Sequence, residues 1–110
     1  MYRQGDVLLV PVKVDLSEAT PIERDKKNRV VLALGETTGH AHVFKTANVL
    51  FYMLAAKRYI EVQEQAAEFR HETENGSATL DHSSIMVPPG TYEVKGQEEY
   101  ISKDWRRVAD

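Results

Sequence analysis

Apolar and polar residues alternate in short runs along this chain, and glycine, proline and asparagine separate the runs. From Val7 to Val14 one set of alternate positions (Leu8, Val10, Val12, Val14) is wholly aliphatic, while the other (Val7, Leu9, Pro11, Lys13) ends in Pro and Lys. A strand is therefore expected here with its even-numbered face buried. Pro11 donates no ladder bond, which puts the strand at a sheet edge or the missing donor at an unpaired position. Asp15 to Asn28 is polar and reads as a long surface loop with room for one helical turn. Arg29 to Leu34 runs through consecutive aliphatics, the pattern of a strand buried on both faces. Val49–Leu54 and Arg58–Val62 are joined through Ala55-Ala56-Lys57, too tightly for anything but a hairpin. Gln63 to Glu68 has helix-forming residues but is too short for a stable helix, so it reads as loop or a single turn. Asn75-Gly76 carries the signal of a type I′ hairpin turn, and Pro88-Pro89-Gly90 a rigid turn before the strand Tyr92 to Lys95. The expectation is one all-β domain over residues 1–110, a small barrel or two-sheet sandwich of about eight short antiparallel strands.

Composition narrows the function more than the fold. With 110 residues, 42% hydrophobic and 28% charged, the chain can build one modest core. A net charge of −3 argues against a protein whose main work is gripping nucleic acid through its phosphates. The basic tail Trp105-Arg106-Arg107 with Lys103 is too small to change that, and Trp105 is expected to pack over one end of the domain. With no cysteine, any metal must be held by His, carboxylate, backbone or water. No apolar run approaches the roughly 20 residues of a membrane span. The first residues, Met1 to Asp6, lack a secretory core, so a cytoplasmic location is expected.

Candidate chemistry centres on Gly35-Glu36-Thr37-Thr38-Gly39-His40-Ala41-His42. If the chain leaves this glycine turn as a strand, His40, His42 and Phe44 point the same way, and two imidazoles at i, i+2 can share one ion. A two-residue Asn75-Gly76 turn would set Glu74 opposite Ser77 and His71 opposite Leu80, with His82 a diagonal neighbour roughly 7–8 Å from His71. The candidate metal ligands are His40, His42 and His82, and the candidate ligand-binding residues are Thr37, Thr38 and His71. Three neutral imidazoles with an open position suit Zn²⁺, Fe²⁺, Mn²⁺ or Ni²⁺, which would lower the pKa of a bound water or polarise a substrate oxygen. The competing reading makes the histidines partly exposed residues beside turns, and Thr37 and Thr38 caps of their own turn. Ser83-Ser84 beside His82 does not make a Ser–His pair, because neighbours on a strand face opposite ways.

Tyr2-Arg3-Gln4-Gly5-Asp6-Val7-Leu8-Leu9, Gly35 to His42, His82 with Ile85, Pro88-Pro89-Gly90-Thr91-Tyr92, Gln97 to Tyr100 and Arg106 to Asp110 together resemble a family of small uncharacterised bacterial and phage proteins. The resemblance covers nearly the whole chain apart from roughly residues 45 to 75. Two departures stand out: the polar cluster before the proline–glycine turn is thin here (Asp81-His82-Ser83-Ser84), and Glu98 stands where a basic residue is expected. A looser likeness is to cupins. Gly35, His40 and His42 are similar to the start of a first cupin motif, and Pro89-Gly90 to part of the second. Tyr92-Glu93 follows where that motif has a histidine, and the acid would have to come from Glu61 or Glu68.

The functional expectation is a small phage or bacterial accessory protein whose His-lined site binds a divalent metal or a small ligand. The rival is a non-enzymatic protein–protein interaction module, a host-factor or defence modulator or a phage structural accessory, in which the turn and tail are contact surfaces. An exposed edge beginning at Val7 also offers a route to homo-oligomers by strand pairing.

Overall fold

The computed structural model describes residues 1–35, 39–79 and 83–96. These form ten strands: β1 (Tyr2–Gln4), β2 (Val7–Pro11), β3 (Thr20–Pro21), β4 (Val30–Leu34), β5 (Ala41–Phe44), β6 (Val49–Leu54), β7 (Lys57–Val62), β8 (Ala67–Glu72), β9 (Ile85–Val87) and β10 (Gly90–Gly96). One sheet has the order β1-β2-β10-β7-β6-β3 and the other β4-β5-β8-β9, every pairing antiparallel. The architecture is a small two-sheet all-β sandwich. Among the described residues no helix is long and apolar enough to cross a membrane.

The core lies between the sheets. Val7, Leu9, Phe51, Ile60, Val62, Tyr92 and Val94 come from the six-stranded sheet, and Val30, Leu32, Phe44, Ala67, Phe69 and Val87 from the four-stranded one. Phe44 and Phe69 face each other across β5 and β8 and stack with ring centroids 4.8 Å apart. This corrects the expectation for β2, whose core face carries Val7 and Leu9, not Leu8, Val10, Val12 and Val14. Both faces of that strand are aliphatic, so alternation does not discriminate between them, and Lys13 lies beyond the last paired residue. Pro11 pairs with Tyr92 on the β10 side, while β1 reaches only as far as Leu9, so the missing donor falls where no neighbour needs it.

The second correction concerns β4. It is an edge strand with one buried face, and Leu34 at its end is 80% exposed. The register shifts between Val31 and Ala33, and Arg58 of β7 reaches across to donate to the Leu32 carbonyl at 2.7 Å. A bulge and a bound guanidinium both blunt an edge that would otherwise recruit another strand. The polar segment Asp15 to Asn28 contributes the two-residue strand β3 and no helix.

Three hairpins fix the registers around the histidines and the core. Gly5-Asp6 joins β1 to β2 with Gln4 opposite Val7, and Gly5 takes the positive φ of 58° that a II′-type first position requires. Ala55-Ala56 joins β6 to β7 with Leu54 opposite Lys57, and both alanines have positive φ, 52° and 67°. The Asn75-Gly76 hairpin differs from the expected type I′ turn. Gly76 has φ +88°, but Asn75 does not share a positive φ. Gly76 N–H donates to the Thr73 carbonyl, and Glu72 bridges Ala78. The loop therefore holds one more residue than a I′ turn, and the register slips by one. Thr79, not Leu80, faces His71, and Thr79 N–H donates to the His71 carbonyl at 2.9 Å. The expected diagonal place of His82 beside His71 lies outside the described residues, as does Leu80.

Candidate functional site

β5 and β8 pair with His42 directly opposite His71 and Phe44 opposite Phe69. Strand alternation puts these four side chains on the inner face of the sheet, so the two imidazoles continue the Phe44–Phe69 layer towards one end of the sandwich. His42 and His71 are both buried, with ring centroids 4.4 Å apart. His40 enters from the end of the glycine turn, where Gly35 N–H donates to the His40 carbonyl at 2.7 Å. Its ring meets His71 edge-on, at 5.4 Å and 79°. His40 and His42 therefore lie on one side of the sheet, and the residue that unites them is His71.

Two of the rings are tied through Nδ1. His42 Nδ1 lies 2.9 Å from Gln4 Oε1, and His71 Nδ1 lies 2.7 Å from Thr79 Oγ1. The Nδ1 of His40 is buried and has no hydrogen-bond partner among the described residues. Gly35 is part of this packing. A Cβ there would lie 2.8 Å from His71 Nε2 and 2.9 Å from His40 Cβ, so only glycine lets the turn close over the rings. An open, polar recess lined by His40, Thr73, Glu74, Asn75 and Ser77 adjoins the cluster.

Imidazoles that share one ion through nitrogens about 2.0–2.1 Å from it have ring centroids roughly 4.5–5.5 Å apart. Of the observed separations 5.4 Å lies in that range and 4.4 Å just below it, and both are also the spacing of packed rings. Among the described residues, no group of three or more His, Asp or Glu side chains is placed to hold a metal ion. His82, Thr37 and Thr38 lie outside the described residues, as does the basic tail from Lys103 to Arg107. The two carboxylates considered for a cupin-like role are elsewhere. Glu61 alternates with the inward-facing Ile60 and Val62, and Glu68 lies on the outer face of β8, paired with Arg70 at 3.4 Å.

Behind the imidazoles, on that outer face, Glu72 is fully buried and accepts from Arg29 at 3.1 Å, Arg70 at 2.7 Å and Lys45 at 3.2 Å. Arg29 is itself held by Asp25 at 2.8 Å. Burial alone would raise the Glu72 pKa, but the hydrogen bonds from Arg70, Arg29 and Lys45 outweigh it and hold the carboxyl below the ordinary glutamate value. This network braces β4, β5 and β8 from outside, and nothing in the residue spacing announces it. Gln4 is a further site residue that the spacing of the histidines does not reveal. A signal for it does exist: Gln4 alternates with Tyr2 on a short strand, so it is a polar residue on an inward face.

No curated protein and no solved structure matches this chain. A family model does, over residues 3–97, which takes in every strand named above except the first residue of β1. The chain belongs to the family described as Domain of unknown function (DUF8820).

Proposed function

We propose that this protein binds a divalent transition-metal ion at the imidazole cluster, with His42 and His71 as the central ligands and His40 or His82 completing the set. The observation that carries the reading is the Nδ1 of His40, which is buried, has no hydrogen-bond partner among the described residues and belongs to a ring in contact with His71. Leaving such an atom unsatisfied costs about 1–3 kcal/mol, which an ion reached by a small ring rotation would offset. Zn²⁺, Mn²⁺, Fe²⁺ and Ni²⁺ all accept imidazole, and an open position towards the recess would admit water or a small oxygen-bearing ligand. Cupin-like chemistry at this site would draw its carboxylate from Glu74, which lines the recess with His40, in place of Glu61 or Glu68. The setting proposed is the cytoplasm of a bacterial or phage-infected cell, on the resemblance to small bacterial and phage proteins.

The test is elemental analysis of protein purified without a His tag, followed by melting with each ion added. The parent should carry near-stoichiometric metal and melt higher with its ion, because a ligand that binds only the native state stabilises it by mass action. His40→Ala, a half-buried residue outside the core cluster, should lose metal while keeping the parent's circular dichroism. Absence of metal, with no thermal shift for any of the four ions, sinks the proposal. The interaction-module reading would then stand on the exposed Leu34 at the end of edge strand β4, beside the glycine turn.

A further inference from the structure

We infer that Gln4 is a positioning residue which fixes the tautomer of His42 and thereby selects Nε2 as that ring's ligand atom. The first part stands on geometry alone; the second rests on the metal reading above. Gln4 belongs to β1 of the six-stranded sheet, is 3% exposed, and reaches across the sandwich to the other sheet. One atom of its amide lies 2.9 Å from the Phe69 carbonyl and 3.0 Å from the Ser83 carbonyl. Two carbonyl oxygens can be met only by the NH₂ group, so the orientation of the amide is settled by its neighbours. Its oxygen is thereby the atom 2.9 Å from His42 Nδ1, and an oxygen that only accepts requires the proton on Nδ1.

In the neutral ring the acceptor nitrogen is then Nε2. This reverses the preference of free histidine in water, where the Nε2–H form predominates. The contact at His71 Nδ1 is of another kind, since the Thr79 hydroxyl facing it can donate or accept and does not by itself select a tautomer. A donated Nδ1–H held by a fixed acceptor is the arrangement that orients metal-binding imidazoles. The Gly5-Asp6 turn sets the register that brings the amide to this point, because it places Gln4 opposite Val7 on the inner face of β1.

The experiment reads the tautomer directly, by long-range ¹H–¹⁵N correlation spectra of the full chain, stripped of metal, at a pH where the imidazoles are neutral. The parent should show His42 as the Nδ1–H form. Gln4→Leu should shift it towards Nε2–H, whereas Gln4→Glu, whose buried carboxyl protonates to donate to the Phe69 or Ser83 carbonyl and keeps its other oxygen as acceptor opposite Nδ1, should retain the parent pattern. A merely structural role would cost both variants stability and move neither pattern. If Gln4→Leu does not fold, Gln4→Met, closer in length, takes its place. An Nε2–H pattern for His42 in the parent overturns the inference, as does a folded Leu or Met variant with the parent's pattern.

Zinc titration of the same proteins separates the two claims. Loss of the outer hydrogen bond should weaken zinc binding about 10–100-fold in the Leu variant and spare the Glu variant. A parent that shows the Nδ1–H form but binds no ion overturns the metal reading alone. Equal zinc affinity in parent and Leu variant overturns the role of Gln4 in ligand selection.

Discussion

The imidazole cluster depends on one residue that has no side chain. Gly35 does not have a positive φ, so what excludes other residues there is space and not backbone conformation. In Gly35→Ala the new Cβ would meet His71 Nε2, on a ring held by Thr79, and His40 Cβ, which cannot move without the turn. Urea denaturation should show a loss of about 1–3 kcal/mol, the cost of overpacking. Glu72 is the opposite case, a residue that matters through its charge. Glu72→Gln removes the carboxylate charge shared by three cations, of which Arg29 and Arg70 keep Asp25 and Glu68 and Lys45 is half-exposed, and should destabilise by about 1–3 kcal/mol. Because the native pKa of Glu72 is lowered, its contribution is fully present above the unfolded value, about 4.3. It fades as pH falls through that value and is lost on passing the lowered native one. Stability measured against pH should show this acid-side loss in the parent and a smaller one in the variant.

At the scale of the element, turns decide register, and register decides which side chains meet. The β6–β7 hairpin closes through two alanines with positive φ, a conformation that a Cβ disfavours by about 1–2 kcal/mol per residue. Its register is nonetheless regular from Val49 opposite Val62 to Leu54 opposite Lys57, so the paired strands impose the turn. Replacing Ala55-Ala56 with Asn-Gly should raise stability by about 1 kcal/mol or more, seen as a higher urea midpoint with unchanged slope. The same dipeptide already stands at Asn75-Gly76 and does not form the turn it favours in isolation. The Thr73 hydroxyl donates to Asn75 Oδ1, and the Gly76 amide donates to the Thr73 carbonyl. These bonds hold a wider loop, and Thr79 takes the place beside His71.

Across the whole molecule, the two sheets are joined by more than the apolar core. Gln4 ties β1 to the backbone of β8, and Arg58 ties β7 to the exposed edge at β4. Arg58→Ala should cost about 1.5–3 kcal/mol for the lost charge-assisted bond. It also uncovers the Leu32 carbonyl on an edge strand that ends in the exposed Leu34. Sedimentation velocity should then show concentration-dependent self-association that the parent lacks. A variant that remains monomeric would mean that the bulge at Val31–Ala33 protects the edge without help.

The class of the fold was legible in the chain itself. The apolar run Val49–Leu54, the alternation at Arg58–Val62, the tight Ala55-Ala56-Lys57 connection and the Pro88-Pro89-Gly90 turn are local features, and local sterics suffice to place them. The shared side of His40 and His42 was legible for the same reason, since strand alternation needs no knowledge of the partner strand. What could not be read was any relation that depends on a second element. The inner face of β2 is chosen by what packs against it, and both of its faces are aliphatic. His71 reaches His42 through β5–β8 pairing between segments nearly thirty residues apart, while the local Asn75-Gly76 signal pointed to a different register. Gln4 meets His42 across the sandwich, at a sequence separation of 38, and Arg29 meets Glu72 at 43. Side chains so distant in the chain become neighbours only when two sheets close over one core, and burial then makes their hydrogen bonds obligatory.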